Sequence, residues 1–256
     1  MNALPNSNAR PIALFIAGST MIISSVLWEN FPVLIFIAFA PFFALLDFSW
    51  SPRKVNFVAL ACLLGVLSEL VLYYVGMNTP LLLDIFLAAG LFATFWSVQH
   101  LTQNRLNKFT LVIVIMAAEY LLVKLMIHTN PVFLADILGN RPDWTRWNIS
   151  TGYLGTSLWI MATNLLFYQA ILQSKQISIF LSLLGLVCIV LPIVYSLNLE
   201  NNAVTKEELL QLYSGTPGPD NRYALHGELI SRTGAWVSVL IIIFTLVRIK
   251  TKKVAR

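Results

Sequence analysis

Two ionisable residues stand inside an apolar stretch of the sequence, residues 109–127, where a charge is costly. Glu119 lies near the centre of this stretch and Lys124 lies closer to its end. A charged side chain at the middle of a bilayer costs roughly 2.5–3.5 kcal/mol on insertion scales, so it indicates a functional group or a buried partner. Two roles stay open for Glu119, a functional carboxyl group and a plain hydrogen bond to a neighbouring helix. Lys124 is expected to reach toward the membrane interface.

A second carboxyl group, that of Glu69, lies in another apolar stretch, with Tyr73 one helical turn later on the same face. A carboxyl group in hydrocarbon must be protonated or hydrogen-bonded. Glu119 and Lys124 are not spaced as a one-turn ion pair, so each needs a partner elsewhere. Asn164 lies in a later apolar stretch and is typical of a hydrogen bond between helices. We predict that these five residues form an intramembrane polar pocket, with plain helix packing as the alternative for Asn164.

Other kinds of catalytic site find little support in the sequence. The three histidines, at positions 100, 128 and 226, are not at metal-ligand spacing. The two cysteines, Cys62 and Cys188, each lie within an apolar segment, where a reactive thiolate does not form. A glycine-rich phosphate loop and a Gly-x-Ser-x-Gly elbow are both missing from the sequence. We therefore predict no catalytic residue, no metal and no cofactor.

The composition is that of a polytopic membrane protein. Of the 256 residues, 57% are hydrophobic and only 11% are charged, against about 25% charged in soluble proteins. The net charge of +5 arises from basic residues in short segments between apolar stretches and in a C-terminal run. Such a distribution is typical of topology signals, so nucleic acid is not expected as a partner.

Eight stretches are apolar enough, over about 20 residues, to cross a bilayer as helices. The sequence thus predicts an all-α bundle of about eight transmembrane helices forming one membrane domain over residues 1–256. The predicted spans cover residues 11–28, 31–48, 55–77, 80–96, 109–127, 151–172, 177–197 and 234–249.

The basic residues predict the orientation of these spans. Eleven lie on one side of the bundle: Arg10, Arg53, Lys54, Arg105, Lys108, Lys175, Arg248, Lys250, Lys252, Lys253 and Arg256. Five lie on the other side: Arg141, Arg146, Lys206, Arg222 and Arg232. The first side is expected to be cytoplasmic, which places both termini inside and the two long loops, 128–150 and 198–233, outside. The predicted location is a bacterial-type inner membrane.

The two outer loops differ in character. Residues 132–138 form an apolar stretch broken by Asp136, too short to span and expected to lie at the interface or against the helices. Trp144, Arg146 and Trp147 follow it as candidates for contact with a lipid headgroup, with aromatic-belt anchoring as the alternative for the tryptophans. In the second loop, residues 205–208 (TKEE) match a capping box and predict a short helix that stops at Gly215.

Four passages, in this order, resemble the membrane domain of apolipoprotein N-acyltransferases. Residues 39–46 (FAPFFALL) are similar to the family's second helix and residues 65–74 to its third. Residues 119–120 (EY) stand where the family has Glu-Trp or Glu-Tyr. The strongest passage is residues 147–157 (WNISTGYLGTS), followed by Asn164, which resembles the sixth helix. The order of these passages fits an eight-helix membrane domain over nearly the whole chain.

The resemblance also exposes a large departure. Members of that family carry a nitrilase-like domain with a Glu, Lys and Cys triad between the seventh and eighth helices, which transfers an acyl chain from a phospholipid to a lipoprotein. Here the same interval, residues 198–233, is only thirty-six residues long and contains no cysteine. A segment of this length is shorter than a domain that folds unaided. The family's covalent route is therefore missing, and no catalytic residue carries over.

Three functions remain open from the sequence. The first is a membrane component that binds phospholipid or lipoprotein acyl chains while a separate nitrilase-like protein or another partner supplies the chemistry. The second is a non-catalytic lipid-binding or assembly subunit of a larger membrane complex. The third is an intramembrane acyltransferase of different mechanism, or a transporter, that uses Glu69, Glu119 and Lys124.

Overall fold

The computed structural model describes residues 9–28, 32–45, 108–125, 133–173 and 177–214, with scattered helical positions between 229 and 247. Within these residues the protein is helical and contains no strand, which confirms the predicted all-α class at that level. The predicted spans 55–77 and 80–96, and with them Glu69 and Tyr73, lie outside the described residues.

The longer described helices follow apolar runs of the sequence, and shorter helices lie between them. In chain order they are α1 (Ala9–Leu27), α2 (Ile35–Ala38), α3 (Ala40–Leu45), α4 (Lys108–Leu125), α5 (Asn148–Thr151), α6 (Tyr153–Phe167), α7 (Ile179–Leu197) and α8 (Lys206–Ser214). Three 3₁₀ helices occupy Pro32–Leu34, Leu134–Leu138 and Pro142–Trp144, and α6 continues as a π-helical turn at Tyr168–Gln173. Gly152, with a φ of 78°, makes the turn between α5 and α6, a conformation that favours glycine.

Helix α6 lies at the centre of the described core. Most of its residues are buried, and it contacts α2, α4, α7 and the 3₁₀ helix Leu134–Leu138. Because α6 is apolar on nearly all sides, it suits a position enclosed by other helices. One buried cluster joins α6 to α1, α2 and α3, and a second joins α6 to α4 and to the segment that contains α8. The second cluster surrounds Glu119.

The predicted span 31–48 contains a break. Helix α2 ends at Ala38 and α3 begins at Ala40, so Phe39 lies between two short helices. Pro41 is one cause, since its ring clashes with the carbonyl four residues earlier.

Helix α7 is the only helix in the described ranges that is both long enough and apolar enough to cross a membrane. Helix α4 has a similar length but carries three charged residues, Lys108, Glu119 and Lys124. Only 17% of the residues in the apolar stretch of α7 are buried. The eight-span arrangement therefore stays a prediction from the sequence.

Candidate functional site

The carboxylate of Glu119 caps the first turn of the 3₁₀ helix Leu134–Leu138. The Leu134 N–H donates to Glu119 Oε1 at 2.9 Å, and the Ala135 N–H donates to Ser157 Oγ at 3.1 Å. The first N–H groups of a helix have no partner within it, so side-chain acceptors from α4 and α6 satisfy them. Glu119 is only 2% exposed, and the Ser157 hydroxyl faces the same carboxylate.

The second oxygen of Glu119 differs from the first in its hydrogen bonding. Oε2 is buried and has no hydrogen-bond partner among the described residues. No ion pair involves Glu119 in that same part of the chain. An uncompensated buried charge costs several kcal/mol, so this carboxyl group needs a proton or a donor. The site can therefore hold a proton or accept a hydrogen bond.

Asp136 lies beside Glu119 and is fully engaged. Its Oδ2 accepts hydrogen bonds from the Phe133 N–H at 3.0 Å and from Lys206 Nζ at 2.8 Å, and its Oδ1 accepts one from the Tyr153 hydroxyl. The Lys206 ammonium also lies 5.4 Å from the centre of the Phe133 ring, a cation-π contact. The charge of Asp136 is thus balanced by Lys206, whereas that of Glu119 is not.

Residues 199–214, which we call the outer strap, are fastened beside this site. The Asn148 amide binds both backbone groups of Val204, with Nδ2 donating to its carbonyl at 3.1 Å and Oδ1 accepting its N–H at 2.7 Å. A guanidinium N–H of Arg146 donates to the Leu199 carbonyl at 2.5 Å. The predicted capping box is present, with reciprocal bonds between Thr205 and Glu208 at the start of α8.

Lys124 and Glu119 do not meet. The Lys124 side chain is exposed, with its ammonium 5.5 Å from the centre of the Tyr120 ring and 5.9 Å from that of Tyr213. Contact with the aromatic rings fits the expectation that Lys124 reaches outward while its stem stays on apolar surface.

Asn164 acts at the break between α2 and α3. Its Oδ1 accepts the Phe39 N–H at 2.7 Å, and its Nδ2 donates to the Ile35 carbonyl at 2.8 Å. In an unbroken helix these two backbone groups would bind each other. The Asn164 amide is therefore inserted between them, in place of one backbone hydrogen bond of the helix. Asn164 lies seven residues beyond Ser157 on α6, roughly 10 Å along the axis from the Glu119 site. The structure thus favours the packing role for Asn164.

The three headgroup candidates all make contacts within the chain. Trp144 is buried, and the Arg141 guanidinium lies 4.4 Å from the centre of its ring. Arg146 binds the strap, and the Trp147 ring meets Trp159 edge-on with centroids 5.5 Å apart.

The Arg141 guanidinium also donates two hydrogen bonds to Asp143, at 3.0 and 2.7 Å. This contact holds the pKa of the Asp143 carboxyl below its usual value. Residues 133–150 therefore fold onto themselves and onto the helices instead of extending away from them.

Sequence reasoning missed four residues of this site, Asp136, Tyr153, Ser157 and Lys206. Asp136 could have been recognised in the sequence, because it is the single acidic residue in an apolar stretch. Its pairing with Lys206, across 70 positions, has no signal in one sequence.

Known proteins do not extend this description. Comparison with protein-family models, with curated proteins and with solved structures gives no match. Within the described ranges, no group of three or more His, Cys, Asp and Glu residues is placed to hold a metal ion. The functional interpretation therefore depends on the chain's own residues.

Proposed function

We propose that this protein is a multi-span membrane component of a lipoprotein-acylation pathway, similar to the transmembrane part of apolipoprotein N-acyltransferase. Its helical bundle binds phospholipid or lipoprotein acyl chains, and a separate nitrilase-like protein or another membrane subunit supplies the chemistry. The proposal places it in a bacterial-type inner membrane, with about eight spans and both termini in the cytoplasm.

The observation that carries the proposal is the exposed apolar surface of α7. A helix of its length spans about 28 Å, close to the thickness of the hydrocarbon core of a bilayer. Its large side chains face outward, with exposures of 73% for Ile179, 74% for Phe180 and 63% for Leu191. The core helix of a soluble protein would bury these groups, whereas acyl chains are a suitable surrounding for them.

The helical positions between 229 and 247 support the same surrounding. Large apolar side chains are exposed there as well: Leu229, Trp236, Val237, Val239, Leu240, Ile243, Phe244 and Val247. A water-soluble surface carries scattered apolar side chains, whereas this chain exposes two whole segments of them.

The need for a partner follows from the outer strap. The family that the sequence resembles uses a cysteine thiol between its last two membrane helices, and residues 198–233 contain none. The described part of that interval is held against the first outer loop through Val204 and Lys206. A thioester intermediate thus has no nucleophile in this interval, so the acyl-transfer step is assigned to another protein.

The test is mass spectrometry of lipoprotein N-termini from cells with and without the gene. We expect the N-terminal amide-linked acyl chain to disappear in the deletion strain and to return on complementation. A nitrilase-like protein encoded in the same genome should co-purify with the tagged chain. Unchanged lipoproteins in the deletion strain would refute the proposal.

A second candidate, a non-catalytic lipid-binding or assembly subunit, is favoured by the polar residues of the core. Asn164 and Glu119 both hold backbone groups of other segments, at Phe39 and Leu134 respectively. This function predicts a stable complex that forms equally well with Glu119→Gln, together with normal lipoprotein acylation in the deletion strain.

A further inference from the structure

The outer strap lies over the face of α4 that carries Glu119. Met116, Tyr120 and Val123 share that face with Glu119 at helical spacing, and they belong to the same buried cluster as Val204 and Leu209 of the strap. The Tyr120 and Tyr213 rings meet edge-on, with centroids 6.2 Å apart. The strap therefore closes this side of the Glu119 site.

Within the described ranges, the strap has two buried apolar side chains, Val204 and Leu209. Its polar attachments there include those of Asn148, Arg146 and Lys206. Much of the remaining strap is exposed, including residues 201, 202, 205, 207 and 208. Segments with few buried apolar contacts open at a lower free energy than the core to which they are attached.

The Lys206 contact is linked to Glu119 through Asp136. The Lys206 and Asp136 side chains are 14% and 8% exposed, so their ion pair lies at the boundary between solvent and core. Asp136 also binds the Phe133 N–H, at the start of the 3₁₀ helix whose Leu134 N–H donates to Glu119. Loss of Lys206 therefore loosens both the strap and the turn that Glu119 caps.

We propose that residues 199–214 form a reversible cover over Glu119, closed by the Lys206–Asp136 ion pair and the Asn148 amide. When these contacts break, the strap lifts from α4 and gives water-soluble reagents access to the buried carboxyl group. The cover does not depend on the lipoprotein pathway, since it follows from the contacts of the strap alone.

The test is carbodiimide coupling of glycinamide to Glu119 in the purified full-length protein in detergent. The carboxyl group and the amine form an amide bond, and the carbodiimide leaves as a urea. We expect Lys206→Ala and Asn148→Ala each to raise the labelling rate at Glu119 by about ten-fold, as for the loss of a charge-assisted or buried hydrogen bond. Glu207→Gln, a change on the exposed side of the strap, should leave the rate unchanged, and Glu119→Gln should remove the signal.

Hydrogen exchange separates opening of the strap from general unfolding. In Lys206→Ala we expect faster exchange of amides in residues 199–214 and at Leu134, with those of α6 unchanged. Equal labelling of Glu119 in the wild type and in both variants would overturn the cover. Faster exchange throughout α6 would also overturn it, because Lys206 would then stabilise the whole bundle and not one segment.

Discussion

Asn164→Ala will lower the free energy of unfolding by about 3 kcal/mol, because it removes the hydrogen bonds that a fully buried side chain makes at a break in a helix. The Phe39 N–H and the Ile35 carbonyl lose their partner, and each such buried group costs about 1–3 kcal/mol when unsatisfied. Thermal or denaturant unfolding of the purified protein in detergent measures the effect. Asn164→Asp, which keeps the acceptor and loses the donor, is expected to be intermediate or worse.

Asn198→Ala provides a matched control. Its Nδ2 also donates to a backbone carbonyl four residues earlier, that of Val194 at 2.8 Å, but the side chain is exposed. We expect a loss of less than about 0.5 kcal/mol there, the usual range for surface positions. A loss below about 1 kcal/mol for Asn164→Ala would contradict the bridging role, since Phe39 and Ile35 would then satisfy each other directly.

Glu119→Ala will lower the free energy of unfolding by a similar amount, about 2–4 kcal/mol. The substitution leaves the Leu134 N–H without its acceptor and creates a cavity between α4 and α6. Glu119→Gln keeps an oxygen acceptor of the same size, so we expect it to cost less than about 1 kcal/mol. Both variants are to be compared by unfolding in the same detergent.

The difference between the alanine and glutamine variants is the informative quantity. Glu207→Ala, at an exposed position of α8, controls for loss of a glutamate and should change stability little. If glutamine at position 119 destabilises as strongly as alanine, the oxygen acceptor is not what stabilises this site, and the capping role described above is wrong.

The sequence predicts the long helices well because their apolar runs are continuous. The predicted spans 109–127 and 177–197 lie over α4 and α7, which run from Lys108 to Leu125 and from Ile179 to Leu197. In the described part of the predicted span 31–48, the helix is interrupted at Phe39, between α2 and α3. Pro41 is the residue in the sequence that indicates this break. A prediction from hydrophobicity alone does not take the proline into account.

The candidate site was predictable in part. The cost of a buried carboxyl group singles out Glu119 in the sequence as a residue that needs a partner. Its partner is the backbone N–H of Leu134, however. Nearly every residue has a backbone N–H, so the sequence does not indicate which one binds Glu119. Asn164 likewise binds backbone groups 125 and 129 positions away, so its partners could not be predicted from local spacing.

The most direct test of the central claim, that this chain crosses the membrane several times with residues 198–233 outside, is a set of reporter fusions. Alkaline phosphatase, which is active only outside the cytoplasm, should be active when fused after Tyr213 and inactive after Lys175 or Arg256. A fluorescent protein that folds only in the cytoplasm should give the reverse pattern. Phosphatase activity after Lys175, or cytoplasmic fluorescence after Tyr213, would contradict the arrangement from which the proposed function is argued.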